Sequence, residues 1–446
     1  MKKSIYTWFA LPLLLLLPLL AACGSATAQQ SNQPGPTPPV TSGELYILDN
    51  AGQAATSRHI VALSVSGAQP GPRLTLPAGL TDLKHQWLYV ASPAAGAEAH
   101  TTISVLDTRS GTPARTFTIA GSYSTADQGT SDSMLAGNGR WLALREQHAP
   151  AGTTVIALVD TVQGKLVKTI SLSGTFTLDA VSPQGTMLYL LEYYEAGTSH
   201  YNVRAYDVQA GQLLQGDIAD KNDLDEKMQG AFLTRWLSAD GSMAYTLYIN
   251  PDLNKAFIHI LWLTDSTDGT PFPMLARCAD LPSGKDASLL RYYTLALSQD
   301  GQTLYAANAA LGIMASLSLN PGLNDHQLWE IPAARIAHFT PDAGSSAASA
   351  QSQALYHGAV LSPDQSRLYV AGAHGIQVLD TATLKSQGQY LKQESFTGLA
   401  ISSDGKTLYA VDPASGVSLL DPASGQVRGT IQGPVHAPWG IAWTTA

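Results

Sequence analysis

Cysteine and charge are both scarce in this chain. Among 446 residues there are two cysteines, Cys23 and Cys278, and Asp, Glu, Lys and Arg together make up only 13%. So few charges exclude long surface helices, whose outer faces need Glu, Lys and Arg, and also exclude extended disorder. Basic residues are outnumbered, 25 Lys and Arg against 34 Asp and Glu, and form no cluster interleaved with aromatics. A nucleic-acid partner is excluded on that ground, because phosphate binding needs a basic face. Cys-x-x-Cys-His is absent, and with it c-type haem. His-Glu-x-x-His, the Gly-x-Ser-x-Gly elbow and a phosphate-binding glycine loop before a helix are absent too. No cofactor and no metal site is expected.

What is present begins with an export signal. Lys2 and Lys3 precede an apolar stretch, Phe9 to Leu20, broken by Pro12 and Pro18. It is too short and too interrupted for a spanning helix, which needs about 20 apolar residues. Leu20-Ala21-Ala22-Cys23 follows and resembles a bacterial lipobox, which makes Cys23 the lipidated N-terminus of the mature chain. Gly24 and Ser25 come next, without the Asp that would retain a lipoprotein at an inner membrane. The expected location is the outer face of the cell membrane or another extracytoplasmic leaflet. With Cys23 modified, no internal disulfide can form, and Cys278 is read as a small buried or half-buried side chain. Residues 1–23 are thus a signal and residues 24–42 a Ser/Pro-rich tether. Ser25 to Ser42 has no charged residue, and a stretch of that composition can reach roughly 50 Å.

From Gly43 the chain repeats itself, and 39 glycines and 25 prolines punctuate it. Clear copies are Leu297-Ser-Gln-Asp-Gly-Gln-Thr-Leu-Tyr-Ala306, Leu361-Ser-Pro-Asp-Gln-Ser-Arg-Leu-Tyr-Val370 and Ile401-Ser-Ser-Asp-Gly-Lys-Thr-Leu-Tyr-Ala410. Weaker copies start at Val181, Leu237, Leu135 and Leu83. An apolar strand enters, Ser-x-Asp-Gly turns, and Leu-Tyr leaves, which is hairpin chemistry. A third strand ending in Asp follows, as in Ile103-Ser-Val-Leu-Asp107 and Val417-Ser-Leu-Leu-Asp421, then a glycine turn and a fourth strand. Spacings of 40 to 64 residues between copies fit radially arranged blades with loop insertions better than a solenoid of strict period.

The ends complete the pattern. Gly43 to Asp49 reads as a second strand and His59 to Val65 as a third, with no inner strand before them. Trp439-Gly-Ile-Ala-Trp443 reads as an inner strand with no blade after it. The expected fold is all-β: a β-propeller of four-stranded antiparallel blades over residues 43–446, eight in number, or seven if the unit at Leu83 or Leu135 is misread. Strands from both termini close it.

Leu88-Tyr-Val-Ala-Ser92, Leu368-Tyr-Val-Ala-Gly372 and Gly375-Ile-Gln-Val-Leu-Asp-Thr-Ala-Thr383 resemble the YVTN-type, lactonase-like β-propeller repeat. The resemblance implies the fold across nearly all of residues 43–446. For function it offers gluconolactonase-like enzymes, surface-layer proteins, periplasmic binding proteins and dehydrogenase subunits, and no catalytic residue transfers with the repeat. The tryptophan-docking repeats of quinoprotein propellers are absent.

Propeller sites lie at the central channel. The residues expected at its mouth, at the start of each inner strand, are Asp82, Asp132, Asp179, Arg235, Tyr293, His357, Thr397 and Trp439. Such a polar mixture can do acid–base or binding work, while polar residues in a wet channel also need no function. Asp179 and Arg235 fall at equivalent positions of neighbouring units and can pair. The acidic run Asp220 to Glu226 lacks the glycine and glutamate of a calcium loop and is read as an inter-blade loop. Leu275 to Arg291 and His338 to Leu355 are read as long connections. The expected function is that of a lipid-anchored, monomeric binding protein, taking an unknown protein, small molecule or glycan on one face rather than catalysing a reaction. The alternative is a lactonase-like hydrolase working in the channel. A redox partner subunit has no cofactor signature to support it.

Overall fold

Each Leu-Tyr step divides its two side chains between neighbours. Successive strand residues point to opposite faces of the sheet, so Leu304 packs toward the preceding blade and Tyr305 toward the following one. Leu368 and Tyr369, and Leu408 and Tyr409, do the same. A strand apolar on both faces needs cover on both, and a ring of sheets supplies it without leaving an end.

The structure is a computed structural model and describes residues 43–50, 58–65, 71–94, 99–125, 132–194, 200–220, 228–263, 275–320, 322–323, 329–330, 333–341, 357–414, 416–431 and 435–445. They form eight blades built on four antiparallel strands; six of the sheets have four strands and those of blades 3 and 4 have a fifth. Counted along the chain, the inner strands are Leu80–Thr81 in blade 1, Ser133–Leu135 in blade 2, Thr175–Val181 in blade 3 and Ala231–Leu237 in blade 4. Thr294–Leu297, Ala359–Leu361, Gly398–Ile401 and Pro438–Thr444 follow in blades 5 to 8. Blade 8 joins the two ends of the propeller: Pro438–Thr444 pairs with Glu44–Asn50, placing Tyr46 opposite Trp443 and Ile47 opposite Ile441. The described apolar core is eight clusters, one between each pair of adjacent blades, including 8 and 1. The fold is the eight-bladed form of the expected propeller.

The repeat residues explain themselves in the turns. The Ser298 hydroxyl accepts from the Thr303 amide at 2.9 Å and donates to Asp300 at 2.6 Å. Ser238 and Ser402 make the same pair of bonds. In five blades an Asp closes the third strand and accepts backbone amides just beyond it, as with Ser110 to Asp107 at 2.8 Å, Thr383 to Asp380 at 2.8 Å and Ser424 to Asp421 at 2.9 Å. These bonds to the charged form hold the Asp107, Asp380 and Asp421 carboxyls below the usual range. The repeated acids are therefore occupied in holding turns.

Two sequence expectations need correction. Leu275 to Arg291 is not a free connection: Leu275–Leu281 is the outer strand of blade 4, and Ala287–Tyr292 is a 3₁₀ turn capped by Asp286. Nor does Asp220 sit in a free loop. Ala219–Asp220 adds a short parallel strand to Leu275–Leu281, and the Asp220 carboxylate accepts the Cys278 amide at 3.1 Å. Residues 221–227 lie outside the described residues, as do residues 342–356 of the second expected connection and all of the signal and tether, Cys23 included.

Candidate functional site

The inner strands of all eight blades surround one cavity of about 600 Å³. Its wall includes turn residues Leu83, Gly137, Ala239 and Gln299, so it lies toward the end where the inner strands finish rather than where they start. Twenty of its 32 lining residues are apolar.

That placement sorts the eight expected residues. Arg235 and His357 line the cavity. Asp82 does so as well, but past its inner strand rather than at the start. Its carboxylate accepts the Gln86 and Trp87 amides at 2.9 and 3.1 Å, so it stands where other blades carry the turn serine. Asp179 is buried behind Arg235 and bonded to it. Asp132 is outside the wall and takes Arg145 Nε at 2.7 Å. Tyr293 is fully buried between blades 4 and 5, its hydroxyl donating to the Pro282 carbonyl at 2.6 Å. Thr397 is buried next to its inner strand, and Trp439 lies beneath the Arg58 guanidinium, 5.8 Å from the ring centroid. Asp132, Tyr293, Thr397 and Trp439 are not brought together.

Sequence reasoning missed the aromatic part of the wall. His85 stacks on Trp443 at 5.2 Å and 7°, and Trp443 in turn on Tyr46 at 4.3 Å. Elsewhere in the wall, His357 stacks on Trp236 at 5.2 Å and 25°. His85 occupies the turn position that is glycine in five other blades, with φ 51° against 68° at Gly301. A histidine accepting a left-handed backbone there was the signal available. Burial lowers the pKa of both imidazoles. His357 is taken to about 4, with nearby His85 adding to the effect. Both are neutral at pH 7.

The charges in the wall are already satisfied. The Arg235 guanidinium holds the Asp179 carboxylate, donates from Nε to Thr246 Oγ1 at 2.8 Å and lies 5.4 Å from the Phe232 ring centroid. The nearest approach to a nucleophile and base is Thr81 Oγ1, 2.9 Å from His85 Nδ1 within one turn. Among the described residues, no three His, Cys, Asp or Glu gather as metal ligands. No described helix is long and apolar enough to cross a membrane.

Comparison with solved structures returns proteins alike in fold. Apo AztD from Citrobacter koseri superposes with a TM-score of 0.51 at 10% identity, over 90% of this chain and 98% of that one. The likeness is one of fold. The periplasmic gluconolactonase of Pseudomonas aeruginosa gives 0.39 at 15% identity, over 81% of this chain and 99% of its own. The dihydro-heme d1 dehydrogenase NirN gives 0.47 at 11%, over 89% and 74%. No protein-family model and no curated protein matches the chain.

Proposed function

We propose that this protein is an exported, lipid-anchored propeller that binds a ligand through one face, at the turn-side mouth of its central cavity, without converting it. The observation that carries the reading is the contrast between repeat and cavity. The repeated Asp and Ser side chains are consumed in turns, while the cavity is roomy, mostly apolar and without free charge, as binding pockets are. Export and anchoring rest on the Lys2-Lys3, apolar and Leu20-Ala-Ala-Cys23 sequence. Residues 24–42, Ser/Pro-rich and uncharged, are then the link between that anchor and the propeller.

Two measurements test this. Small molecules extracted from the purified full chain should include one that is missing from Val360→Trp, which fills the cavity from blade 6. A panel of lactones, with and without divalent metal, should show no turnover. Turnover that disappears in Thr81→Ala and His85→Ala would replace binding with hydrolysis.

A further inference from the structure

The cavity also constrains the kind of molecule it takes, and this inference rests on the binding reading above. Two features of the wall matter. The first is charge. Asp82 and Arg235 are its only ordinarily charged side chains. Asp82 is engaged through Oδ1 by two turn amides, and Arg235 by Asp179, Thr246 and the Phe232 face. His85 and His357 are neutral, their imidazoles held down by burial. A charged ligand would lose its hydration and find no opposite charge free to replace it.

The second feature is unfinished polarity. Ser133 is 1% exposed and Trp443 4% exposed, both belong to the wall, and neither Ser133 Oγ nor Trp443 Nε1 has a hydrogen-bond partner. Buried donors are normally paired, so orphans in a cavity wall mark where a ligand completes the bonding. An indole N–H can only donate, so the group that meets it is an acceptor. The apolar part of the same wall includes Phe232, Trp236, Leu135 and Val360.

We propose that the cavity binds an uncharged, largely apolar, ring-bearing molecule of drug-like size, carrying a hydrogen-bond acceptor that the Trp443 indole N–H holds. The acceptor is a carbonyl, ether or hydroxyl oxygen. The aromatic and aliphatic wall covers the rest of the molecule, and the volume of about 600 Å³ lies within the range for ligands of roughly that class.

The test uses the full chain and two dyes. Nile red is neutral, ring-bearing and has a carbonyl acceptor; 1-anilinonaphthalene-8-sulfonate is similarly apolar but anionic. Nile red should bind once per chain, saturably, at micromolar concentration, and the sulfonate at least tenfold more weakly. Val360→Trp should abolish Nile red binding with its melting temperature retained, and Trp443→Phe should weaken it about fivefold. Equal or tighter sulfonate binding would overturn the claim of an uncharged ligand. Nile red binding unchanged by Val360→Trp would overturn the site. Displacement of the dye by a soluble oligosaccharide would overturn the apolar class while leaving the binding reading intact. By contrast, lactone turnover would remove the binding reading itself.

Discussion

Arg235 grips Asp179 twice, bonding to its side-chain carboxylate and to its backbone carbonyl, across the boundary between blades 4 and 3. The Tyr248 hydroxyl adds a second bond to the carboxylate at 3.1 Å. Asp179 lies where the pairing register of its strand skips between Leu178 and Ala180. A bulge re-aims a side chain, and here Asp179 meets the next blade. The pair is almost wholly buried, with side-chain exposures of 1% for Asp179 and 11% for Arg235.

Removing one member of such a pair leaves the other charged, dry and alone. Arg235→Met is expected to destabilise the propeller by about 3–5 kcal/mol. The double variant Arg235→Met with Asp179→Leu should recover most of that loss, because two apolar groups of similar volume leave no orphan charge. Urea unfolding of both variants checks this. A double variant no more stable than Arg235→Met would show that the pair does more than neutralise itself.

The turns make a sharper test of backbone conformation. Gly185 and Gly301 occupy the same position of their blades at φ 71° and 68°. An added Cβ meets nothing at Gly301 but collides with the Trp141 indole at Gly185. Gly301→Ala should therefore cost only the left-handed strain, about 1 kcal/mol. Gly185→Ala should cost several times more. Thermal unfolding of the two variants separates them, and equal shifts in melting temperature would contradict the packing described.

Much of this was legible in the sequence, because the structural signal repeats. Ser-x-Asp-Gly and Leu-Tyr recur at fixed offsets, so each blade predicts the next, and even the Asp179–Arg235 pairing follows from their matched positions. The failures lie where one blade departs from the rest. Blade 1 replaces the turn serine with Asp82 and the glycine with His85, which moved Asp82 to the wrong end of its strand. The outer strand Leu275–Leu281 was read as a connection because Leu-Ala-Arg-Cys-Ala-Asp-Leu neither alternates cleanly nor carries a turn signal. Of the aromatic residues missed in the wall, only His85, standing where other blades carry the turn glycine, was legible. Trp236 and Trp443 come from blades 4 and 8, and only ring closure brings both to one cavity.

Acid should weaken the fold through the histidines. His357 has its pKa lowered from 6.5 to about 4, so between those pH values the unfolded chain takes up a proton that the folded chain refuses. Stability from this group is complete above about pH 6.5 and falls as pH drops toward 4. The full displacement is worth on the order of 3 kcal/mol. His85 and His259 are lowered by burial as well and act in the same direction. Unfolding free energies measured from pH 7 to pH 4 should therefore fall steadily. In His357→Asn, which accepts the left-handed backbone at this position (φ 50°), the slope should be shallower. An unchanged slope would mean that His357 is charged in the folded state.

Ring closure gives the most demanding prediction. Ile441 is 1% exposed and belongs to the cluster between blades 7 and 8, while Ala442 and Trp443 belong to the cluster between blades 8 and 1. One strand thus serves two of the eight interfaces, and the amide of Thr445 bonds back to the Glu44 carbonyl at 2.9 Å. Ile441→Ala should cost about 2–5 kcal/mol, as buried large-to-small changes do. Deleting residues 436–446 is far more severe. It strips Glu44–Asn50 of its inner neighbour and exposes two apolar faces and an unpaired strand edge at once. The truncated chain should be degraded rapidly by protease. A synthetic peptide of residues 436–446, added during refolding, should restore protection by supplying the missing strand. If the truncated chain were as protease-resistant as the full chain, blade 8 would not close the ring.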